Sequence, residues 1–156
     1  MIQAWRLVRS IHLDSAMTGE GSRLFGGRWN SPGVPVVYSS EHRSLALLET
    51  VVHIRRNTPA PDVGRDYFFL PIQFDESLVE YLPVTSLPID WRVEPPSPTT
   101  QSMGDSWVAE ARAPILSVPS VLLPEEINYL FNPGHSMFSR LTVGDPIPCS
   151  LDMRLL

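Results

Sequence analysis

Val34-Pro35-Val36-Val37-Tyr38-Ser39 is followed at once by Ser40 and Glu41–Ile54, and the change of period between the two stretches decides the fold. The first is short, apolar and β-branched, bounded by Pro32-Gly33 and by Ser39-Ser40, as suits a buried strand. The second has helical spacing, with Ser39 or Ser40 available as N-cap and Glu41 in the first turn, where a negative charge suits the helix dipole. At ~100° per residue, Leu45, Leu48 and Val52 fall on one stripe with Glu49 beside them. A carboxylate beside apolar neighbours must pair, accept hydrogen bonds or take a proton. Such sites are often functional, but a carboxylate neutralised by an arginine, or one reaching water from the stripe's edge, fits the pattern equally. Tyr38 ends the strand before this helix. If the helix packs back on the sheet, Tyr38 and Glu49 can face one pocket; the alternative is a core tyrosine.

Working outward, Met1–Arg9 reads as a first strand and Asp14–Gly33, rich in Gly and Ser, as a surface loop. Asp66–Phe74 reads as a strand in which Pro71 needs an edge or a bulge. Leu82–Thr100, with Pro83, Pro88, Pro95, Pro96 and Pro98, reads as an irregular loop packed on the domain through Ile89, Trp91 and Val93. Thr99–Ala113 can form a helix ended by Pro114, with Trp107 and Val108 as core contacts. Ile115–Leu123, interrupted at Pro119, reads as a strand, as do Phe138–Val143 and Ile147–Leu155, joined by a turn at Gly144-Asp145-Pro146. Roughly six strands and two or three helices, with strands at both ends, predict a mixed or mostly antiparallel α+β domain rather than a doubly wound parallel sheet.

A chain of 156 residues suits one domain spanning 1–156, and a domain of that size buries ~70% of its unfolded surface. With 43% hydrophobic and 19% charged residues the composition is globular. No apolar run approaches the ~20 residues of a membrane span, and Arg6 and Arg9 interrupt the first one, so the expected location is cytoplasmic. Cys149, the only cysteine, excludes an internal disulfide and a cysteine-built zinc site. A net charge of −5 argues against a general nucleic-acid binder. All 12 basic residues are arginine, so every cation offers a planar fork suited to phosphate or carboxylate; genomic base composition explains the same bias.

Gly26-Gly27-Arg28-Trp29-Asn30 can form a loop whose glycines admit a ligand while Arg28 grips a phosphate or carboxylate, or simply a glycine turn with a surface arginine. It lacks the GxGxxG spacing. His12, His42, His53 and His135 are scattered without metal-site spacing, and no metal is expected. GxSxG is absent, so Ser120 does not read as a nucleophile.

Gly27-Arg28-Trp29-Asn30-Ser31-Pro32-Gly33, Val36-Val37-Tyr38, Ala46-Leu47-Leu48-Glu49, Gly104-Asp105-Ser106-Trp107, Val118-Pro119-Ser120 and Asn128-Tyr129-Leu130-Phe131-Asn132-Pro133, in this order across residues 5 to 155, resemble the motifs of the RES domain family. The resemblance implies a fold like that of diphtheria-toxin-type ADP-ribosyltransferases, NAD+ as substrate, and an inhibitory Xre-type antitoxin encoded beside the toxin. It places the family arginine at Arg28, the pocket tyrosine at Tyr38, the glutamate at Glu49 and the serine at Ser120, with Arg6 as a further pocket arginine. Gly134-His135-Ser136 and Cys149-Ser150-Leu151-Asp152 depart from the family pattern at the periphery.

The roles so implied suit the chemistry. Cleavage of the nicotinamide–ribose bond passes through a ribosyl cation, which a nearby carboxylate stabilises more than the ground state. Glu49 takes that task, Tyr38 stacks on nicotinamide, Arg28 and Arg6 hold the pyrophosphate, and Ser120 orients the ribose. The expected outcome is NAD+ degradation by hydrolysis or phosphorolysis. Mono-ADP-ribosylation of a host metabolic protein is the alternative on the same pocket, and a non-catalytic protein-binding module the alternative from another class. A nuclease is disfavoured by the acidic balance.

Overall fold

A computed structural model describes residues 1–57 and 66–156. Among them, eight strands form one sheet: β1 (Ile2–Arg9), β2 (Val37–Ser40), β3 (Tyr67–Phe74), β4 (Val79–Tyr81), β5 (Ile115–Pro119), β6 (Ile127–Phe131), β7 (Thr142–Val143) and β8 (Ile147–Cys149). The helices are α1 (Glu20–Phe25), α2 (Arg43–Asn57) and α3 (Pro98–Glu110). The strand order is β4-β5-β6-β2-β1-β3-β7, with β8 also on β3. Every pairing is antiparallel except β4 with β5. The α+β expectation therefore holds.

Side chains alternate across a strand, so β6 sends Tyr129 and Phe131 to one face and Asn128 and Leu130 to the other. The first face is a core of Ala4, Val37, Ile72, Phe74, Leu78, Ile115, Tyr129 and Phe131, with Phe74 edge-on to both aromatic rings of β6. On the second face Leu130, Leu116 and Val118 pack with Trp29, Trp91 and Trp107, the last from α3. Helix α2 covers the neighbouring part of the sheet, where Ala46 and Ile54 meet Leu7, Tyr67 and Phe69. Each fully buried Val, Leu, Ile or Phe side chain among them contributes on the order of 1.5–3 kcal/mol.

Several expectations are corrected. Asp14–Gly33 is not all loop, because α1 lies within it. Neither Ser39 nor Ser40 caps α2: both belong to β2, and their hydroxyls donate to the Tyr129 carbonyl and to Asn128 Oδ1 across the sheet. The helix buries Leu45, Ala46, Val51 and Ile54, whereas Leu48 is exposed and Val52 half-buried. In the 82–100 segment only Trp91 of the three expected anchors is buried; Ile89 and Val93 are exposed. Phe138–Val143 and Ile147–Leu155 shorten to β7 and β8, each beside a turn of 3-10 helix. The strands β4 and β6 had no counterpart in the sequence reading.

Pro71 faces a gap, as its missing donor requires. β8 pairs with β3 at Tyr67–Phe69 and β7 at Ile72–Gln73, and between them the Pro71 carbonyl accepts from Gly144 N at 2.8 Å. α3 approaches the Trp29 backbone so closely that a Cβ on Gly104 would lie 1.6 Å from the Trp29 carbonyl oxygen. Gly104→Ala is expected to cost about 3 kcal/mol or more, because two backbones must separate. A thermal melt showing an unchanged midpoint would contradict this packing.

Candidate functional site

β1, β2, β6 and α2 border an open cavity of about 160 Å3 lined by Arg6, Tyr38, Glu49 and Asn128, with Trp5 and His53 also on its wall. Glu49 is half-buried, not sealed in apolar surroundings. Its Oε1 accepts two hydrogen bonds, from Ser120 Oγ at 2.8 Å and from Asn128 Nδ2 at 2.7 Å. Among the described residues, no donor reaches Oε2. The choice the sequence left open is thus resolved in part: the carboxylate is held by neutral donors at the wall of a cavity, not neutralised by an arginine.

Ser120 is fully buried just beyond β5. Its oxygen accepts from Leu122 N at 3.1 Å and Leu123 N at 3.2 Å, so its one proton is free to point at Glu49. Ser120 therefore reaches the cavity through the carboxylate rather than directly.

Arg6 on β1 donates from Nη1 to the Tyr38 carbonyl at 2.7 Å. Its Nε is buried without a hydrogen-bond partner, and burial lowers its pKa to about 10, which leaves the guanidinium charged at neutral pH. A charged guanidinium at a cavity wall suits an anionic ligand group.

Tyr38 lines the cavity while its ring also packs against the tryptophan cluster of Trp29, Trp91 and Trp107. Its hydroxyl donates to Asn30 Oδ1 at 2.6 Å and accepts from Trp29 N at 3.1 Å. A Cβ on Gly27 would sit 2.7 Å from that hydroxyl, so glycine here makes room for Tyr38. Burial pushes the phenol well above the usual tyrosine range, opposed by the Trp29 hydrogen bond.

Arg28 is not among the residues on the cavity wall. Its Nη1 donates to the carbonyls of Trp91 and Val93 at 3.1 and 2.8 Å, and its Nη2 pairs with Glu94 at 2.8 Å. In this conformation Arg28 fastens the 91–94 segment to the glycine loop. The same loop is fastened to α3, where Asp105 accepts from the Ser31 backbone and hydroxyl at 2.9 and 2.6 Å and Gln101 donates to the Gly27 carbonyl at 3.1 Å.

Asn128 escaped the sequence reading as a site residue although its motif was noted. The available signal was one amide in the otherwise apolar Ile127–Phe131. The structure also gathers ligand atoms of Glu41, His42 and Glu126 within 4.8 Å of one another, a grouping the histidine spacing did not suggest. Glu41 Oε1 already accepts from Ile127 N at 2.7 Å.

The site is an acid-centred cavity on a mostly antiparallel sheet, with a buried arginine on its wall. The chain belongs to the RES domain family, whose pattern it matches over residues 3–152. It is similar to the Toxin Res of Yersinia enterocolitica, 34% identical over 97% of both chains. It is 36% identical to the Toxin Res of Photorhabdus laumondii over 83% of this chain and 80% of that one. A Sphingobium protein named Prs ADP-ribosylating toxin is also 36% identical, over 84% of this chain and 82% of that one. Among solved structures, the M. tuberculosis MbcT–MbcA toxin–antitoxin complex contains a chain of the same fold, with TM-score 0.78 and 16% identity over 96% of this chain and 84% of that one.

Neutral tyrosines stabilise the fold below their ordinary pKa, and that contribution is lost as pH rises above about 10. Tyr38 and Tyr129, the latter pushed up to about 12 mainly by burial, share this sign. Urea unfolding is expected to show stability falling from pH 10 upward, with a shallower fall in Tyr38→Phe; equal slopes would contradict the buried-phenol assignment.

Proposed function

We propose that the chain is the toxin of a toxin–antitoxin pair and that it breaks the nicotinamide–ribose bond of NAD+ in the Glu49 cavity. The observation that carries this reading is the Glu49 carboxylate held by Ser120 and Asn128 at a cavity wall that also bears the buried, partly unpartnered Arg6. As the C–N bond breaks, its electron pair leaves with nicotinamide and positive charge develops on the ribose. A fixed carboxylate nearby stabilises that charge without reorganising. Arg6 supplies the complementary contact to a phosphate oxygen. The cavity is smaller than the roughly 300–1,000 Å3 of most ligand sites, so it suits the ribosyl end of the dinucleotide, with the remainder lying outside.

Water, phosphate or a protein side chain then captures the ribosyl carbon and releases its proton. Capture by water or phosphate degrades NAD+ and is the reading preferred here. The likeness to a toxin named for ADP-ribosylation favours protein modification as the second reading. The fold shared with the toxin of a toxin–antitoxin complex supports an inhibitory antitoxin as partner, which we take to be of Xre type. Among the described residues no helix is long and apolar enough to cross a membrane.

Mass spectrometry of NAD+ incubated with the purified protein, with and without phosphate, should show free nicotinamide with ADP-ribose or its 1-phosphate. Glu49→Gln should lower the rate by at least ~10²-fold with an unchanged melting temperature. A folded Glu49→Ala variant that inhibits growth as strongly as the native chain would exclude this function.

A further inference from the structure

Beyond Glu49 itself, the geometry points to Asn128 as a positioning residue: oriented by Ser40, it joins Ser120 in clamping Oε1 of Glu49 and so leaves Oε2 as the oxygen presented to a ligand. The argument rests on donor direction. An ionised carboxylate only accepts, so the atom of Asn128 lying 2.7 Å from Glu49 Oε1 must be the amide nitrogen. The amide oxygen then faces Ser40, whose hydroxyl lies 2.7 Å away and must donate. Ser120 is constrained in the same sense, because two backbone amides occupy its lone pairs and its proton goes to Glu49. Two one-way paths therefore converge on one oxygen.

The placement is rigid. Ser40 and Asn128 are opposite each other in the β2–β6 ladder, and Asn128 is also opposite Val118 in the β5–β6 ladder. Ser40 and Ser120 are buried, Ser40 at the cavity wall and Ser120 behind it, so little solvent competes for their hydroxyls. Glu49, by contrast, sits on a helix whose side chain has three rotatable bonds before the carboxylate. Without both donors it samples other rotamers, and a carboxylate displaced by 1 Å loses much of its effect on a developing charge.

This inference rests on Glu49 acting in NAD+ cleavage, and its test has one arm independent of turnover. In the activity arm, Asn128→Asp replaces the donor with an acceptor of the same shape. The expected result is a fall in kcat on the order of 10²-fold with KM changed less than about threefold, and an acid limb of the pH profile moved upward, since two adjacent carboxyls share a proton. Ser40→Ala should lower kcat on the order of 10-fold and Ser40→Thr should restore it. Should Asn128→Asp fail to fold, the Ser40 pair carries this arm. Native kcat and an unshifted profile in folded Asn128→Asp, or native kcat in Ser40→Ala, would overturn the assignment.

In the second arm, the side-chain amide resonance of Asn128 in 15N-labelled protein is followed against pH without NAD+. A pH dependence at acid pH that disappears in Glu49→Gln is expected. A resonance that ignores both pH and that substitution overturns the clamp, whereas the expected dependence in a protein that consumes no NAD+ upholds the clamp and rejects only the proposed reaction.

Discussion

Oε1 of Glu49 is where the parts of this molecule meet. It belongs to α2, and its two donors come from β6 and from the end of β5. α2 follows β2 directly in the chain, but β5 and β6 lie about 70 to 80 residues further on. A single carboxylate oxygen thus ties the local strand–helix unit to the distant half of the sheet. Neutral donors suffice because the carboxylate is only half-buried; a fully buried charge would need further hydrogen bonds, a cation or a proton.

A second constraint positions the glycine loop behind Tyr38. Gly104 lets α3 touch the Trp29 backbone, and Asp105 beside it accepts two hydrogen bonds from Ser31. The loop carrying Arg28, Trp29 and Asn30 is thereby held against the tryptophan cluster, where Asn30 accepts from the Tyr38 hydroxyl and the Trp29 amide donates to it. Tyr38 connects the two regions: its carbonyl holds Arg6 in the cavity while its hydroxyl holds the glycine loop. Motifs far apart in the chain are in this way parts of one framework.

Family membership gives these contacts a context. The six short motifs that resemble the RES pattern supply the Glu49 clamp, the Tyr38 bridge and the α3 dock, so the pattern is as much a record of packing as of chemistry. Arg28 illustrates the point. Its fork is engaged by two carbonyls and Glu94, whereas among the described residues the arginine with an unmet buried donor is Arg6, on the first strand.

The change of period at Ser39–Glu41 determined β2 and α2, and alternation with apolar runs determined β1, β3 and β5, because local patterns record which face of an element is covered. Glu49 stood out because a charge interrupts such a pattern. β6 did not read as a strand, since Ile127–Phe131 sits among proline, acidic and asparagine residues and draws its stability from β2 and β5 on either side. The phase of α2 was also misjudged: Leu48 is exposed and Ala46 buried because the sheet the helix lies on, not the helix, chooses its buried face. The partners of Glu49 were decided by tertiary structure alone. Hydrogen bonds between residues some 70 positions apart leave no periodicity, and only the β2–β6–β5 register brings Asn128 and Ser120 to one carboxylate, with Ser40 behind Asn128.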